Sequence, residues 1–399
     1  MKTKIILFLL FGIDAIVLLL EAKGLSISAS EAHILYGNVS FLQYMSRFFL
    51  SLFSNHDIGL RFFMILLHFA SALLLYLISS KYLQQERNRI WLIAVFLLLP
   101  GSISSALIVS HASVIIFGLF LYIYFLVNGF SQRILNLLLF VYLFIEPGFS
   151  YLFLALGFYN IYVKQAWNAL FSFFLYCSSI LIYGFVAHGI PRGHFLDVLG
   201  VYSAIFSPIV FIYIFYTLYK LFLLKKMDQI WFIASTAFLV SIILSFRQRI
   251  NLEYFAPYLM IVLPLSAQIF IQSYRVRLRI YRKKYKIAFI LAFVFLVLNA
   301  FIVFFHKEIY LVLENPKKNF AYNVDIVHNL AKKLKAMHVK CLHVNNKDMQ
   351  LRLRFYGIEK CNDTFLKEIS LKSVKKGDVT ISYKNKILYK ADVTKLNNK

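Results

Sequence analysis

The sequence is poor in cysteine, tryptophan and acidic residues. Its 399 residues hold three cysteines, none in a CxxC pair and none at metal-ligand spacing from histidine, so no metal or redox motif is present. No Gly-rich phosphate loop occurs, and no Asp-rich run marks a cation site. No cofactor is indicated, and dependence on a divalent metal stays open. Asp and Glu number 18 against 43 Lys and Arg, a net charge of +25. That charge would suit nucleic acid, but the chain has no RNA-binding motif or Cys/His finger. Most of the cations stand at the ends of apolar runs, where membrane orientation explains them, so a nucleic-acid partner is not expected.

What the chain has is apolar surface. It is 60% hydrophobic with a mean hydropathy of +0.71, against about 45–50% apolar in soluble domains. Its 42 Phe and 26 Tyr suit lipid-facing cores and the wet ends of spans. Residues 1–306 carry the apolar runs, and residues 307–399 look like a soluble domain. The N-terminus reads either as a signal peptide or as an uncleaved span. Glu21-Ala22-Lys23 makes a poor cleavage site, and Asp14 interrupts the run, which favours the span. Runs at 4–20, 58–79, 90–108, 112–128, 133–147, 149–163, 168–188, 202–222, 230–246, 254–272 and 287–305 predict about eleven spans, of which the two flanking Pro147 are short. They lack barrel-like alternation, so the expected fold is an all-α polytopic membrane bundle.

A cytoplasmic N-terminus gathers Lys2, Lys4, Lys81, Arg87, Arg89, Arg133, Lys164, Lys220, Lys225, Lys226 and the run Arg275 to Lys286 on the inner side. The opposite loops before residue 307 keep only Lys23, Arg47, Arg61, Arg192, Arg247 and Arg249. This is the positive-inside pattern, and it places 307–399 outside the cytoplasm. The first external loop, 21–57, contains an amphipathic stretch at 41–54 in which Phe41, Leu42, Met45, Phe48, Phe49, Leu52 and Phe53 share a face. Such a helix lies in the membrane interface or packs on the bundle. The tail predicts a small α/β or α+β domain: a helix at 320–338, a strand at 339–344, a helix at 347–357, and strands at 378–383 and 386–393. Cys341 and Cys361 lie in it, where a disulfide is permitted. Cys177 reads as a buried thiol within a span.

Several groups are candidates for chemistry. Glu31 stands in the first loop beside His33 and Tyr36, as a solvated carboxylate or as a functional one. Arg247 and Arg249 sit on the side where topology disfavours them, and arginine forks match phosphate; the plainer alternative is snorkelling to head groups. Asp14 and Glu146 are ionisable at membrane depth, where such groups face the bundle interior or a cavity. His111 and Ser113 open the fourth span, where a structural role is the simpler reading.

Ser30-Glu31-Ala32-His33-Ile34-Leu35-Tyr36-Gly37, then Phe41-Leu42-Gln43-Tyr44-Met45 and Ile58-Gly59-Leu60-Arg61-Phe62, resembles the start of GT-C membrane glycosyltransferases of the protein-mannosyltransferase and lipid A aminoarabinose-transferase clan. Leu99-Pro100-Gly101 to Ser113 and Glu253-Tyr254-Phe255-Ala256-Pro257 to Leu263-Pro264-Leu265 resemble later segments, so the likeness spans roughly residues 1–305. It implies a polyprenyl-phosphate-sugar donor, a glycan, lipid or protein acceptor in the envelope, surrounding membrane lipids, and a bacterial inner-membrane location. It implies Glu31 as the catalytic base, with His33, Tyr36, Arg61, His111, Arg247, Arg249, Glu253 and Tyr254 binding substrate. The chain departs from the pattern in three places. The usual acidic pair is Ser30-Glu31, His-Pro-Pro-Leu has become Asn38-Val39-Ser40-Phe41, and Ser110-His111-Ala112-Ser113 replaces an acidic residue at the fourth span. A non-catalytic envelope assembly protein and a lipid-linked-glycan flippase are the alternatives.

Overall fold

The computed structural model describes residues 2–53, 56–184, 193–370 and 377–395. Arg192, the end of the span placed at 168–188 and the last residue of the helix placed at 41–54 lie outside the described residues. Every apolar run marked above is helical over most of its length. Among the described residues, five helices are long and apolar enough to cross a membrane: Thr3–Gly24, His56–Tyr82, Ala166–Tyr183, Leu252–Val276 and Arg279–Phe304. Two bent pairs raise the number to seven. His111–Val127, Gln132–Ile145 and Gln229–Ser245 are shorter apolar helices. The protein is thus a polytopic helical membrane bundle with a small sheet-containing C-terminal region.

Proline sets the breaks. Its ring clashes with a helical residue before it and pushes that residue to an extended conformation. Leu99 (φ −63°, ψ 127°) precedes Pro100, and Glu86–Leu98 meets Pro100–Leu107 at 59°. Ser207 precedes Pro208 in the left-handed half of the map at φ 65°, and the helices on either side of it differ by 105°. Glu146 (φ −154°, ψ 126°) precedes Pro147 and ends Gln132–Ile145. Its extended backbone carries the carboxylate to a position only 2% exposed.

The chain clusters into two compact units. The first comprises Met1–Ile16, Met64–Ala106 and Ser110–Ala300. Its helices approach closely at small residues: a methyl group at Gly118 would lie 2.4 Å from the Phe149 ring, which stacks on Tyr142. Small residues at helix contacts are what membrane packing favours. Thr3–Gly24 and Arg279–Phe304 bury only 11% of their apolar windows in protein, as lipid-facing helices do.

The second unit joins Val17–Phe63 and Leu107–Val109 to Phe301–Lys399. Its sheet runs in the order β1-β2-β4-β3, with β1 His343–Val344, β2 Thr364–Glu368, β3 Val379–Tyr383 and β4 Lys386–Lys395. β1 pairs parallel to β2, and the other pairs are antiparallel. Leu330, Leu334, Leu342, Leu353, Ile358, Leu366, Val379, Ile381 and Tyr389 form the core, and Cys341 is bridged to Cys361. The helix expected over 320–338 is confined to Val327–Ala336, after a single turn at Tyr322–Asp325. In the helix Phe41–Leu52, Gln43 and Ser46 are buried while Phe48 and Leu52 are 55% and 60% exposed. Gln43 turns inward because its amide donates to the Leu35 and Gly37 carbonyls. An outward apolar face suits a membrane interface.

Candidate functional site

In the second unit, Ser28 caps the helix Ala29–Tyr36. Its hydroxyl accepts from the Glu31 N–H, and the Glu31 carboxylate accepts from the Ser28 N–H, closing a capping box. The same oxygen accepts from Arg61 at 3.2 Å, and the other accepts from the Val109 N–H at 2.9 Å. Glu31 is 1% exposed and Arg61 is fully buried. Arg61 also donates to the carbonyls of Ala22, Leu25, Ser26, Asp57 and Leu107. One guanidinium thus ties three chain segments together. Glu31, read from sequence as a solvated or a functional carboxylate, is buried and paired, and Arg61, which the resemblance makes a substrate ligand, bonds Glu31 and backbone carbonyls.

Around this pair the unit holds further polar links. Asp57 accepts from the Tyr356 hydroxyl at 2.7 Å and faces His328 Nδ1 at 2.9 Å. Arg352 donates to Ile27 O and to Asn323 O, and burial pushes its pKa down to about 10. His33 meets Asp348 at 2.9 Å with both side chains more than half exposed. Arg354 covers the Tyr36 ring at 4.7 Å, and burial raises the phenol's pKa despite that cation. None of Asp57, Arg352, Tyr356 or His328 is marked by a sequence motif.

His306 gives a pH test. Its Nε2 lies 3.0 Å from Asp325, which also accepts from the Tyr310 hydroxyl. Its Nδ1 faces the Val303 carbonyl and Glu21. Both ring nitrogens meet acceptors, which favours the cationic ring. Burial works against the charge, but Asp325 and Glu21 outweigh it and the pKa is raised. A raised folded pKa gives stability that is complete below the unfolded value, about 6.5, and is lost as pH climbs through the folded value. Melting temperature should therefore fall as pH rises above about 6.5 in the wild type and stay flatter in His306→Gln; parallel slopes would remove His306 as the cause.

The first unit assembles a different group. His111 opens the helix His111–Val127, and its Nδ1 lies 2.7 Å from Glu146 Oε1, with side-chain exposures of 22% and 2%. The two atoms are close but lack hydrogen-bond alignment. The ring packs on Tyr254 at 5.1 Å, tilted 31°, and Glu253 acts on it through its charge. Gly148 is required here, because a methyl group would press on Ile115 at 2.3 Å and on Tyr254 at 3.0 Å. Arg247 and Arg249, on the turn leading to Glu253, are exposed and have no partner among the described residues. Also in this unit, Asp14 pairs with His68, which faces Ser102.

The sequence-derived site residues thus divide into two sets. Glu31, His33, Tyr36 and Arg61 belong to the second unit, and His111, Arg247, Arg249, Glu253 and Tyr254 to the first. Glu146, noticed only for its depth, joins the second of these sets. Among the described residues no group of three or more His, Cys, Asp or Glu is arranged to hold a metal.

No known protein family matches the chain by sequence, and no curated protein does. Among solved structures, ArnT from Cupriavidus metallidurans in the apo state matches with a TM-score of 0.54 and 12% identity. The match covers 88% of this chain and 84% of that one. At that identity the likeness is one of fold: the chain has an ArnT-like fold.

Proposed function

We propose that this chain is a membrane glycosyltransferase that moves a sugar from a polyprenyl-phosphate donor to an envelope glycan, lipid or protein at the outer face of a bacterial inner membrane. The observation that carries the reading is the ArnT-like fold over 88% of the chain. Exposed Arg247 and Arg249, unpaired among the described residues, supply cations for the phosphate that leaves. The Cys341–Cys361 bridge and the sorting of Lys and Arg support an N-terminus inside and residues 307–399 outside.

The test is release of polyprenyl phosphate by purified protein offered a panel of polyprenyl-phosphate sugars. Release is expected, and Arg247→Gln and Arg249→Gln should each lower kcat/KM by roughly 10- to 100-fold, as for loss of a charged hydrogen bond. No release from any sugar would sink the proposal. It would favour a non-catalytic assembly protein, a reading that the complete structural commitment of Glu31 also supports.

A further inference from the structure

Two buried carboxylates in this protein are placed very differently. Glu31 has each oxygen engaged by well-aligned donors. Glu146 is as deeply buried, yet its Oε1 has no aligned donor although His111 Nδ1 stands 2.7 Å away. A buried carboxylate short of partners is unfavourable unless something else completes it. Acid–base pairs behave this way, with bonds that are loose at rest and tighten on substrate.

We infer that His111 is the group that takes the proton from the acceptor hydroxyl, with Glu146 as its positioning residue. The inference rests on the transferase reading. A carboxylate only accepts, so when the pair aligns on substrate binding Glu146, 2.7 Å from Nδ1, fixes the ring proton there and leaves the lone pair on Nε2, for which there is no partner among the described residues. The imidazole keeps 22% exposure, while Tyr254 packs against the ring. The titratable groups facing His111 are Glu146, Glu253 and Tyr254. The acceptor class is a neutral hydroxyl. Its O–H bond breaks and the proton passes to Nε2, while its oxygen bonds to the anomeric carbon. The bond from that carbon to the phosphate oxygen breaks, and the electron pair leaves on the phosphate. His111 then returns its proton to water.

The experiment uses the full chain in detergent with the labelled polyprenyl-phosphate sugar that gives the fastest release. Equilibrium binding and turnover are measured from pH 5 to 9. Wild-type turnover should fall at acid pH with a single limb, as protonation of one imidazole requires. His111→Asn should bind donor within about threefold of wild type while losing about 10²- to 10⁴-fold in turnover. Glu146→Gln should move the acid limb, and Glu146→Asp should partly restore it. Turnover of His111→Asn within tenfold of wild type, or a wild-type profile with no acid limb, overturns the inference and leaves the transferase standing. A wild type that neither binds nor turns over any donor removes both. Because the wild-type profile is itself decisive, the inference stays testable even if the variants fold poorly.

Discussion

Arg61→Met should lower the stability of the second unit by about 3–5 kcal/mol, the range for breaking a buried ion pair from one side. The substitution leaves Glu31 charged at 1% exposure and strips a donor from five carbonyls at once. Glu31→Gln should cost less, because the amide keeps the shape and one accepting oxygen, although its NH₂ then confronts either the Ser28 or the Val109 N–H. The double variant should melt above the sum of the single effects, since neither charge is then stranded. Thermal unfolding in detergent, followed by proteolysis at 17–63, reads all three. A melting point for Arg61→Met within about 1 kcal/mol of wild type would contradict the structural role of the pair. The same series bears on chemistry: if Glu31→Gln melts normally but abolishes transfer, Glu31 acts as a base after all.

Replacing both Cys341 and Cys361 with serine should cost about 3 kcal/mol. The bridge closes a loop of 20 residues, and tying a loop of that length removes about that much free energy from the unfolded chain. Within the loop lie β1 and the helix Lys347–Phe355; the helix and its C-cap Tyr356 supply Arg352 and Tyr356 to the polar links of the unit. The loss should therefore spread to Asp57 and Ile27 rather than stay at the bridge. Hydrogen exchange at the Ile27 amide, which donates to Tyr356, should accelerate in the double variant and under reductant. Unchanged protection there would confine the bridge to a local role.

The helices were legible because most apolar runs are long, but the runs 90–108 and 202–222 hide breaks at Leu99-Pro100 and Ser207-Pro208, where the proline ends a helix inside an unbroken apolar stretch. β2 was not legible. In Thr364–Glu368 only Leu366 is buried, so the segment shows no run of alternation although it sits between two strands. Glu31 was noticed for the right sequence and given the wrong surroundings. The signal was present, since Ser28-Ala29-Ser30-Glu31 is a capping-box spacing, which turns the carboxylate back on its own helix. Arg61 could not have been read correctly, because its partners are mostly backbone carbonyls from distant segments and carbonyls leave no trace in a sequence. The His111 group was half legible: Glu146 stood out for charge at membrane depth, His111 only as a span-end residue, and Glu253 and Tyr254 only through the family resemblance, and folding alone brings positions 111, 146 and 253–254 together.

The second unit is built from the two halves of the chain that ribosomes make furthest apart in time. Ser26 bonds Val324 across 298 residues, and Asp57 bonds Tyr356 across 299. At about 5–20 residues per second, residues 17–63 wait roughly 15 to 60 seconds for the segment that completes them. Throughout that interval Asp57 lacks Tyr356, and the Ile27 amide and carbonyl lack Tyr356 and Arg352. A chain cut short before residue 352 therefore carries a defect at the end of the message as unmade bonds near its start, at Ile27 and Asp57.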